Sequence, residues 1–107
     1  MVVVYLSKRT KATDISPKVR QEVYQRDSWD GRTCCIKCGS PYSLQVAHFI
    51  GRGQGGLGIK ENLVVLCVKC HQAYDQSDQM NEMKEFIKTY LDNYYPDFTD
   101  EERKFKK

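Results

Sequence analysis

The 107-residue sequence has no apolar run long enough to span a membrane, and its mean hydropathy is −0.64. The N-terminal run MVVVYL is too short for the hydrophobic segment of a signal peptide, and no small-residue cleavage site follows it. No coiled-coil pattern is present either. We therefore expect a cytoplasmic protein. In that compartment thiols stay reduced, so clustered cysteines indicate metal ligands rather than disulfides.

The chain is short, which limits the size of its hydrophobic core, and its net charge is small. A chain of 107 residues predicts one domain, and a structural metal is a common source of stability at this size. The net charge is only +3, but residues 1–26 carry six basic side chains against two acidic ones. This distribution is compatible with a phosphate-backbone partner. An ordinary solvated terminus explains it equally well.

Cysteine is the informative residue type. Four of the five cysteines form two Cys-x-x-Cys pairs, Cys35 with Cys38 and Cys67 with Cys70. Two such pairs supply the four thiolates that a structural zinc ion binds in a tetrahedron. Gly39 follows the first pair and can adopt the positive φ that such a turn often needs. The letters CVKCH also fit haem attachment, and one pair alone fits a redox dithiol, but each alternative leaves the other pair unexplained. Cys34 is left outside the zinc site.

The order of structural elements can be read around the two cysteine pairs. Ser16 and Pro17 predict the N-cap and first position of a helix, which a turn at Asp30-Gly31 closes. The rest of the expected order is a strand at 44–50, a glycine-rich loop at 51–58, a strand at 62–66, a helix after Cys70 and a short helix from Thr99.

The stretch after the second cysteine pair shows helical periodicity. Apolar residues recur at steps of three and four and predict a core-facing stripe: Met80, Met83, Ile87, Leu91 and Tyr94. His71 and Asp75 are four residues apart, so they lie on one helix face and could share a divalent cation. His71 could instead support or replace a zinc ligand. The aromatic residues, Trp29 among them, are expected to fill a small core around the zinc.

Three segments, VRQEVYQRD, AHFIGRGQGGLGIKENLVVLC and CHQAYD, resemble the HNH endonucleases of the His-Me finger group. The likeness is greatest to small stand-alone members from phages and prophages. It rests on the ordered set of His48, Asn62 and His71 with both cysteine pairs, and it covers roughly residues 11–95. The resemblance implies a small α+β fold: a ββα-metal core with an N-terminal helix and a zinc-ribbon-like four-cysteine site.

The resemblance also implies one HNH nuclease domain spanning residues 1–107. Its expected parts are a basic N-terminal arm at 1–14, a core at 15–95 and a C-terminal extension at 96–107. The implied activity is hydrolysis of DNA phosphodiester bonds, by nicking or by cutting both strands.

Each motif residue acquires a role from the same resemblance. His48 would be the general base that activates water, and Asn62 would hold the backbone at His48 in place. His71 would bind a catalytic divalent ion (Mg²⁺, Mn²⁺, Ni²⁺ or Zn²⁺), with Asp75 as the second ligand. Ala47 departs from the family pattern, because many members have an aspartate or histidine ligand immediately before the base.

DNA is the expected partner, held mainly through its phosphates. The candidate contacts are Arg52 in the glycine-rich loop, Arg20, and the N-terminal residues Lys8, Arg9 and Lys11. For Arg52, a solvent-facing position is an equally good interpretation. The phage resemblance implies DNA processing or packaging in a bacterial host cell, beside terminase or other packaging proteins, by a monomer or homodimer. The alternative function is a zinc-stabilised DNA-binding or partner-dependent module with little turnover of its own.

Overall fold

The computed structural model describes residues 7–76 and 78–106. Residues 1–6 of the expected arm, Ser77 and Lys107 lie outside the described residues. The helices are α1 (Lys8–Thr13), α2 (Pro17–Arg26), α3 (Val68–Gln76) and α4 (Met80–Tyr94), and the strands are β1 (Ser28–Trp29), β2 (Arg32–Thr33), β3 (Leu44–His48) and β4 (Leu63–Cys67). Short 3-10 turns cover Arg52–Gln54, Lys60–Asn62 and Glu101–Arg103. The predicted small α+β fold is confirmed. None of the helices in the described part of the chain is long and apolar enough to cross a membrane.

The antiparallel pair β3–β4 is the centre of the molecule. Leu44 lies opposite Cys67 and His48 lies opposite Leu63. Every residue of β4 is buried, which explains why its sequence LVVLC is apolar without alternation. The two predicted strands are confirmed, but β3 ends at His48 rather than at residue 50, and β4 begins one residue later than expected.

Helix α2 forms where its capping signal predicts. The Ser16 Oγ accepts a hydrogen bond from the backbone N–H of Val19 at 3.1 Å, and Pro17 occupies the first turn. Val23 is fully buried and packs with Leu63 and Val65 of β4. The predicted turn at residues 30–31 joins β1 to β2 in a short hairpin.

The helical stretch after the second cysteine pair divides into α3 and α4. Met83, Ile87 and Leu91 of α4 are buried in the core against β3 and β4. Met80 and Tyr94, which we expected in the same stripe, are 46% and 49% exposed. They are the first and last residues of α4, beyond the central turns that pack on the sheet. The prediction of a buried stripe is therefore correct for its centre and wrong for its two ends.

The expected basic arm is helical where it is described. The Ser7 Oγ caps α1 by accepting from the Thr10 N–H at 3.0 Å. The helix lies directly on the glycine-rich loop, since the Gly58 N–H donates to the Ala12 carbonyl at 2.9 Å. A Cβ at Gly58 would lie only 2.0 Å from the Asp14 carbonyl oxygen, so glycine is required for this contact.

The C-terminal segment is also tied to the glycine-rich loop. A 3-10 turn at Glu101–Arg103 replaces the short helix expected there. Arg103 is fully buried and donates to the Glu61 carbonyl at 2.7 Å and to the Asp100 carboxylate at 2.8 Å. The Phe105 N–H donates to the Gly55 carbonyl at 2.7 Å. The loop is therefore held between α1 and the C-terminal segment.

Aromatic residues do not all fill the core. Trp29 is 79% exposed and Tyr42 is 73% exposed, so the expectation that they pack around the zinc is wrong. Trp29 lies in the two-residue strand beside the hairpin turn, and Tyr42 lies in the connection before β3. Neither position is covered by another layer of structure.

Candidate active site and metal centre

The four paired cysteines converge on one point. Cys35 and Cys38 come from the turn after β2, Cys67 ends β4, and Cys70 lies in the first turn of α3. Their Sγ atoms all lie within 4.8 Å of one another, and the Sγ atoms of Cys38 and Cys67 are 3.6 Å apart. Four thiolates around a tetrahedral zinc with Zn–S bonds of about 2.3 Å have Sγ atoms about 3.8 Å apart. The donor set and its spacing therefore fit a four-coordinate metal ion.

The backbone holds the first pair in place. The Gly39 N–H donates to the Cys35 carbonyl at 2.9 Å, and Gly39 has the predicted positive φ, of 80°. The Ile36 N–H donates to the Val65 carbonyl of β4 at 3.0 Å, which fixes the turn against the strand that supplies Cys67. The predicted four-cysteine cluster is confirmed as a group that could hold a metal. Cys34 lies outside it, as expected.

Thiolate formation is already favoured at one of these cysteines. Burial alone would raise the pKa of Cys35, but nearby backbone N–H groups, led by that of Cys38, lower this pKa to about 7. The pKa of Cys70 is raised, first by burial and then by its hydrogen bonding with the thiols of Cys67 and Cys35. The cluster therefore holds one easily ionised thiol, Cys35, beside the thiol of Cys70, which keeps its proton until a cation replaces it.

His48 lies at the end of β3, at the edge of a cleft. Its Nε2 is 2.9 Å from the carbonyl oxygen of Thr13, the last residue of α1. Because a carbonyl can only accept, Nε2 carries the hydrogen, and the neutral ring has its lone pair on Nδ1. Burial lowers the pKa of His48 below its usual value. The imidazole is thus kept neutral, in the tautomer that can accept a proton at Nδ1.

Asn62 is fully buried and connects the chain on both sides of the glycine-rich loop. Its Oδ1 accepts from the Ile50 N–H at 2.9 Å, and its Nδ2 donates to the carbonyls of Ile50 and Leu57 at 3.1 and 2.9 Å. Its own carbonyl accepts from the Phe49 N–H at 2.7 Å. These bonds fix the two residues that follow His48, rather than His48 itself.

His71 and Asp75 face each other on α3. The His71 Nε2 and the Asp75 Oδ2 are 3.3 Å apart. The His71 Nδ1 is 2.6 Å from the Gln45 Oε1, which accepts its hydrogen and leaves the Nε2 lone pair directed towards the carboxylate. Two ligand atoms about 2.1 Å from one ion, at right angles, are about 3.0 Å apart. The pair therefore fits two adjacent positions around a divalent cation.

One cleft contains these groups together with two arginines. It has a volume of about 420 Å³, and its lining includes His48, His71, Asp75, Arg20 and Arg52. Arg20 is exposed, and within residues 7–76 and 78–106 its guanidinium has no hydrogen-bond or ion-pair partner. Arg52 is instead paired with the Asp14 carboxylate. These five predicted site residues thus meet in one cleft, whereas Asn62 is buried and does not line it.

The three N-terminal basic residues play unequal parts. Arg9 Nη2 donates to the Gly53 carbonyl at 2.8 Å and to the Arg52 carbonyl at 3.3 Å, so it holds the loop. Lys8 and Lys11 are exposed on α1 and do not line the cleft.

Ala47 is 1% exposed and packs in the main hydrophobic cluster. Successive side chains of a strand point to opposite faces, so position 47 faces the core while His48 faces the cleft. The methyl group of Ala47 has no donor atom, so this position offers no ligand to an ion.

Two groups of the site were not found from the sequence. The Thr13 carbonyl is a backbone atom, and no side-chain pattern identifies it. Gln45 is an exposed polar residue of β3 outside every motif, and only the pairing of β3 beside α3 brings its amide to His71.

Residues 35–77 match the family model of the HNH endonuclease. The matched segment contains all four clustered cysteines, the buried Asn62 and the cleft residues His48, His71 and Asp75. This finding confirms the resemblance to the HNH family over residues 35–77: the chain carries an HNH domain. The likeness to small stand-alone members from phages stays a prediction. Domains of this family are generally nucleases that use a divalent metal. No curated protein compared with the chain matches it.

Proposed function

We propose that this chain, whose residues 35–77 form an HNH domain, is a metal-dependent endonuclease that hydrolyses DNA phosphodiester bonds. The single observation that supports it best is the cleft itself. A neutral histidine, a histidine–carboxylate pair spaced for a cation, and an arginine without a partner among the described residues line the same small volume. These are a base, a metal ligand set and a phosphate contact.

His48 supplies the base. Its Nδ1 accepts a proton from a water molecule as the water oxygen attacks phosphorus, while Nε2–H remains bonded to the Thr13 carbonyl. This bond stabilises the imidazolium that forms, because its N–H donates more strongly when the ring is charged. The P–O bond to the leaving 3′-oxygen breaks, and that oxygen takes a proton from solvent. Asn62 is a positioning residue, which keeps the chain after His48 in its place.

Arg20 binds the scissile phosphate, and Arg52 joins it if Asp14 releases its guanidinium. His71 and Asp75 would hold the divalent ion. When bound, the ion stabilises the negative charge that develops on the phosphate and on the leaving oxygen. The Gln45 amide keeps His71 in the tautomer that presents Nε2 to this position.

The four-cysteine cluster would hold zinc, in a structural role. Zinc is the metal for which four thiolates in a tetrahedron are the usual site. Its binding would join the turn after β2 to the start of α3, and it would thereby fix the helix that carries His71 and Asp75.

The biological setting of the proposal rests on the resemblance alone. It is phage or prophage DNA processing or packaging in the cytoplasm of a bacterial host. Terminase or other packaging proteins would be partners of a monomer or homodimer. Lys8 and Lys11 would contact DNA phosphates beyond the cleft.

A supercoiled-plasmid assay tests the activity. Wild type, His48→Ala, Asp75→Ala and Asp97→Ala are incubated with Mg²⁺, Mn²⁺ or Ni²⁺, or with no added divalent ion. We expect ion-dependent nicking by wild type, a loss of about 10²–10⁴-fold for His48→Ala, and a higher ion requirement for Asp75→Ala. Asp97 is exposed and lies outside the cleft, so its substitution should change nothing. Equal rates for wild type and His48→Ala at full zinc content would refute the assignment of the base.

One observation favours the alternative, a DNA-binding or partner-dependent module with little turnover. Apart from the four cysteines, the described residues contain no group of three or more histidine, cysteine or acidic side chains that converge on an ion. Among the described residues, the cleft thus offers a cation one pair of side chains, His71 and Asp75. DNA binding by wild-type protein without nicking at any metal concentration would support this alternative.

A further inference from the structure

The cleft at His48 continues into a second depression that no assignment above uses. This second depression has a volume of about 400 Å³, and it shares His48, Gly51 and Asp75 with the first. Each of the two is of the size that binds a small ligand. The catalytic groups therefore lie in the middle of a longer groove, not at its end.

The second depression, which we call the far half of the groove, has a polar rim. Its rim is formed by Gln54 of the loop and by Met80, Asn81 and Lys84 of α4. Asn81 and Lys84 are three residues apart, so they lie on one face of the helix. Both are exposed, and within residues 7–76 and 78–106 their side chains have no hydrogen-bond or ion-pair partner.

The charged side chains of α4 have different surroundings. Glu82 and Glu85 line a different depression, together with Phe86 and Tyr90. Lys88 is paired with the carboxylates of Asp92 and Asp100 at 3.6 and 3.5 Å. Lys84 thus lines the groove that contains His48, and no described residue supplies it with a counter-ion.

The floor of the far half is fixed. The Tyr74 hydroxyl donates to the Phe49 carbonyl at 2.5 Å and joins α3 to the end of β3. The hydroxyl is therefore used to hold the fold together, and the rim residues remain to contact a ligand.

From these features we infer that the far half of the groove is a second substrate subsite, which binds the DNA strand on one side of the scissile phosphate. Lys84 contacts the neighbouring phosphate, Asn81 and Gln54 donate to phosphate or sugar oxygens, and the exposed thioether of Met80 packs against a sugar or base edge. The inference rests on the proposed function, since the ligand is the strand that His48 would cut. It places the strand across the cleft, from Arg20 on one side of His48 to Lys84 on the other.

The test compares four proteins: wild type, Lys84→Gln, Lys84→Arg and Lys69→Gln. Lys69 is exposed on α3 and lines the depression beside the cysteine cluster, so its substitution removes the same charge outside the groove. The Kd for a 20-base-pair duplex is measured without added divalent ion at several salt concentrations. Nicking rates with Mn²⁺ are then measured over a range of DNA concentration.

We expect Lys84→Gln to bind roughly fivefold more weakly, with a logarithmic salt slope smaller by about 0.9, the value for one lost phosphate contact. KM should rise by the same factor while kcat stays unchanged. Lys84→Arg should behave as wild type, and Lys69→Gln should keep the wild-type salt slope. If Lys84 had a purely structural role, Lys84→Gln would leave the salt slope of DNA binding unchanged.

Equal affinities and slopes for Lys84→Gln and Lys69→Gln would overturn the subsite and leave the proposed nuclease function intact. Wild-type protein that fails to bind the duplex at low salt would overturn both. Binding that depends on Lys84 without any nicking would support the subsite, and it would count only against turnover.

Discussion

The cysteine cluster and the cleft at His48 both use residues of α3, yet they assemble in different ways. All four groups of the cluster are side chains from two short motifs, and the hydrogen bond from the Ile36 N–H to the Val65 carbonyl ties the first motif to the strand that carries the second. The cleft depends on more distant contacts. The carbonyl that binds His48 comes from a residue 35 positions earlier, and the amide that binds His71 comes from one 26 positions earlier.

The cysteine cluster therefore mainly contributes to stability, whereas the cleft mainly contributes to the proposed activity. Removal of the cluster would disconnect the turn after β2, the end of β4 and the start of α3 from one another. Exposed groups of the cleft can be changed with little effect on that core. Asn62 is the exception, because it is both buried and part of the framework of the cleft.

The largest expected effect is loss of the metal centre. In Cys67→Ser, we expect the cooperative unfolding transition to be lost, because structural zinc contributes about 10 kcal/mol or more and a whole domain is stable by about 5–15 kcal/mol. Thermal unfolding followed by circular dichroism, with zinc content, measures this. Cys34→Ser is the matched control and should unfold as wild type does. If Cys67→Ser keeps the wild-type melting temperature, the cluster does not stabilise the fold.

The second largest effect should come from Asn62→Ala, since Asn62 belongs both to the buried core and to the framework of the cleft. This change leaves the Ile50 N–H and the carbonyls of Ile50 and Leu57 without their partner, and we expect a loss of about 2–4 kcal/mol in the free energy of unfolding. Urea unfolding at constant zinc measures it. Asn93→Ala, at an exposed position of α4, should cost less than about 0.5 kcal/mol. Similar values for the two variants would contradict the role given to Asn62.

Gln45→Leu should affect the cleft without affecting the fold. The His71 ring loses the acceptor for its Nδ1–H, and the affinity for the catalytic ion should fall by about 10–100-fold. Nicking rate against Mn²⁺ concentration gives this affinity, and the melting temperature should stay within experimental error. Gln25→Leu, at an exposed position of α2, is the control. An unchanged Mn²⁺ requirement in Gln45→Leu would show that His71 does not need this partner.

The smallest effect is on pH dependence. The neutral form of His48 is the active base, so kcat/KM at saturating metal should rise with pH and level off above the pKa of His48. Burial lowers this pKa, and the inflection should therefore lie below 6.5, the usual value for histidine. Nicking rates from pH 4.5 to 8 measure it. An inflection above 6.5 would mean that His48 is not held in the neutral form that its surroundings favour.

Local signals predicted much of the fold. Ser16 and Pro17 identified the start of α2, Gly39 identified the turn of the first cysteine pair, and the cysteine spacing identified the cluster. Each of these is decided by a few consecutive residues. The division of the chain into arm, core and extension, and the catalytic roles of the site residues, remain predictions.

What the sequence missed is decided by tertiary contacts. Arg26 and Asp27 read as ordinary charged residues, yet the Arg26 Nε donates to Asp27 at 2.7 Å, and Asp27 accepts from the Val65 N–H and the Tyr90 hydroxyl at 2.8 and 2.5 Å. The exposure of Trp29 was missed for the opposite reason. A large aromatic side chain favours burial, but a two-residue hairpin strand offers no second layer to cover it.

Gly58 has no side chain, yet its small size determines where the carbonyl that binds His48 can lie. The contact between its N–H and the Ala12 carbonyl sets α1 against the loop, and the next carbonyl along the helix is the one that His48 needs. A methyl group at position 58 would collide with the Asp14 carbonyl and push the end of α1 away. In a genetic screen for loss of activity, Gly58→Ala would therefore appear beside substitutions of His48. The cause would be one added carbon atom at a residue that touches no substrate.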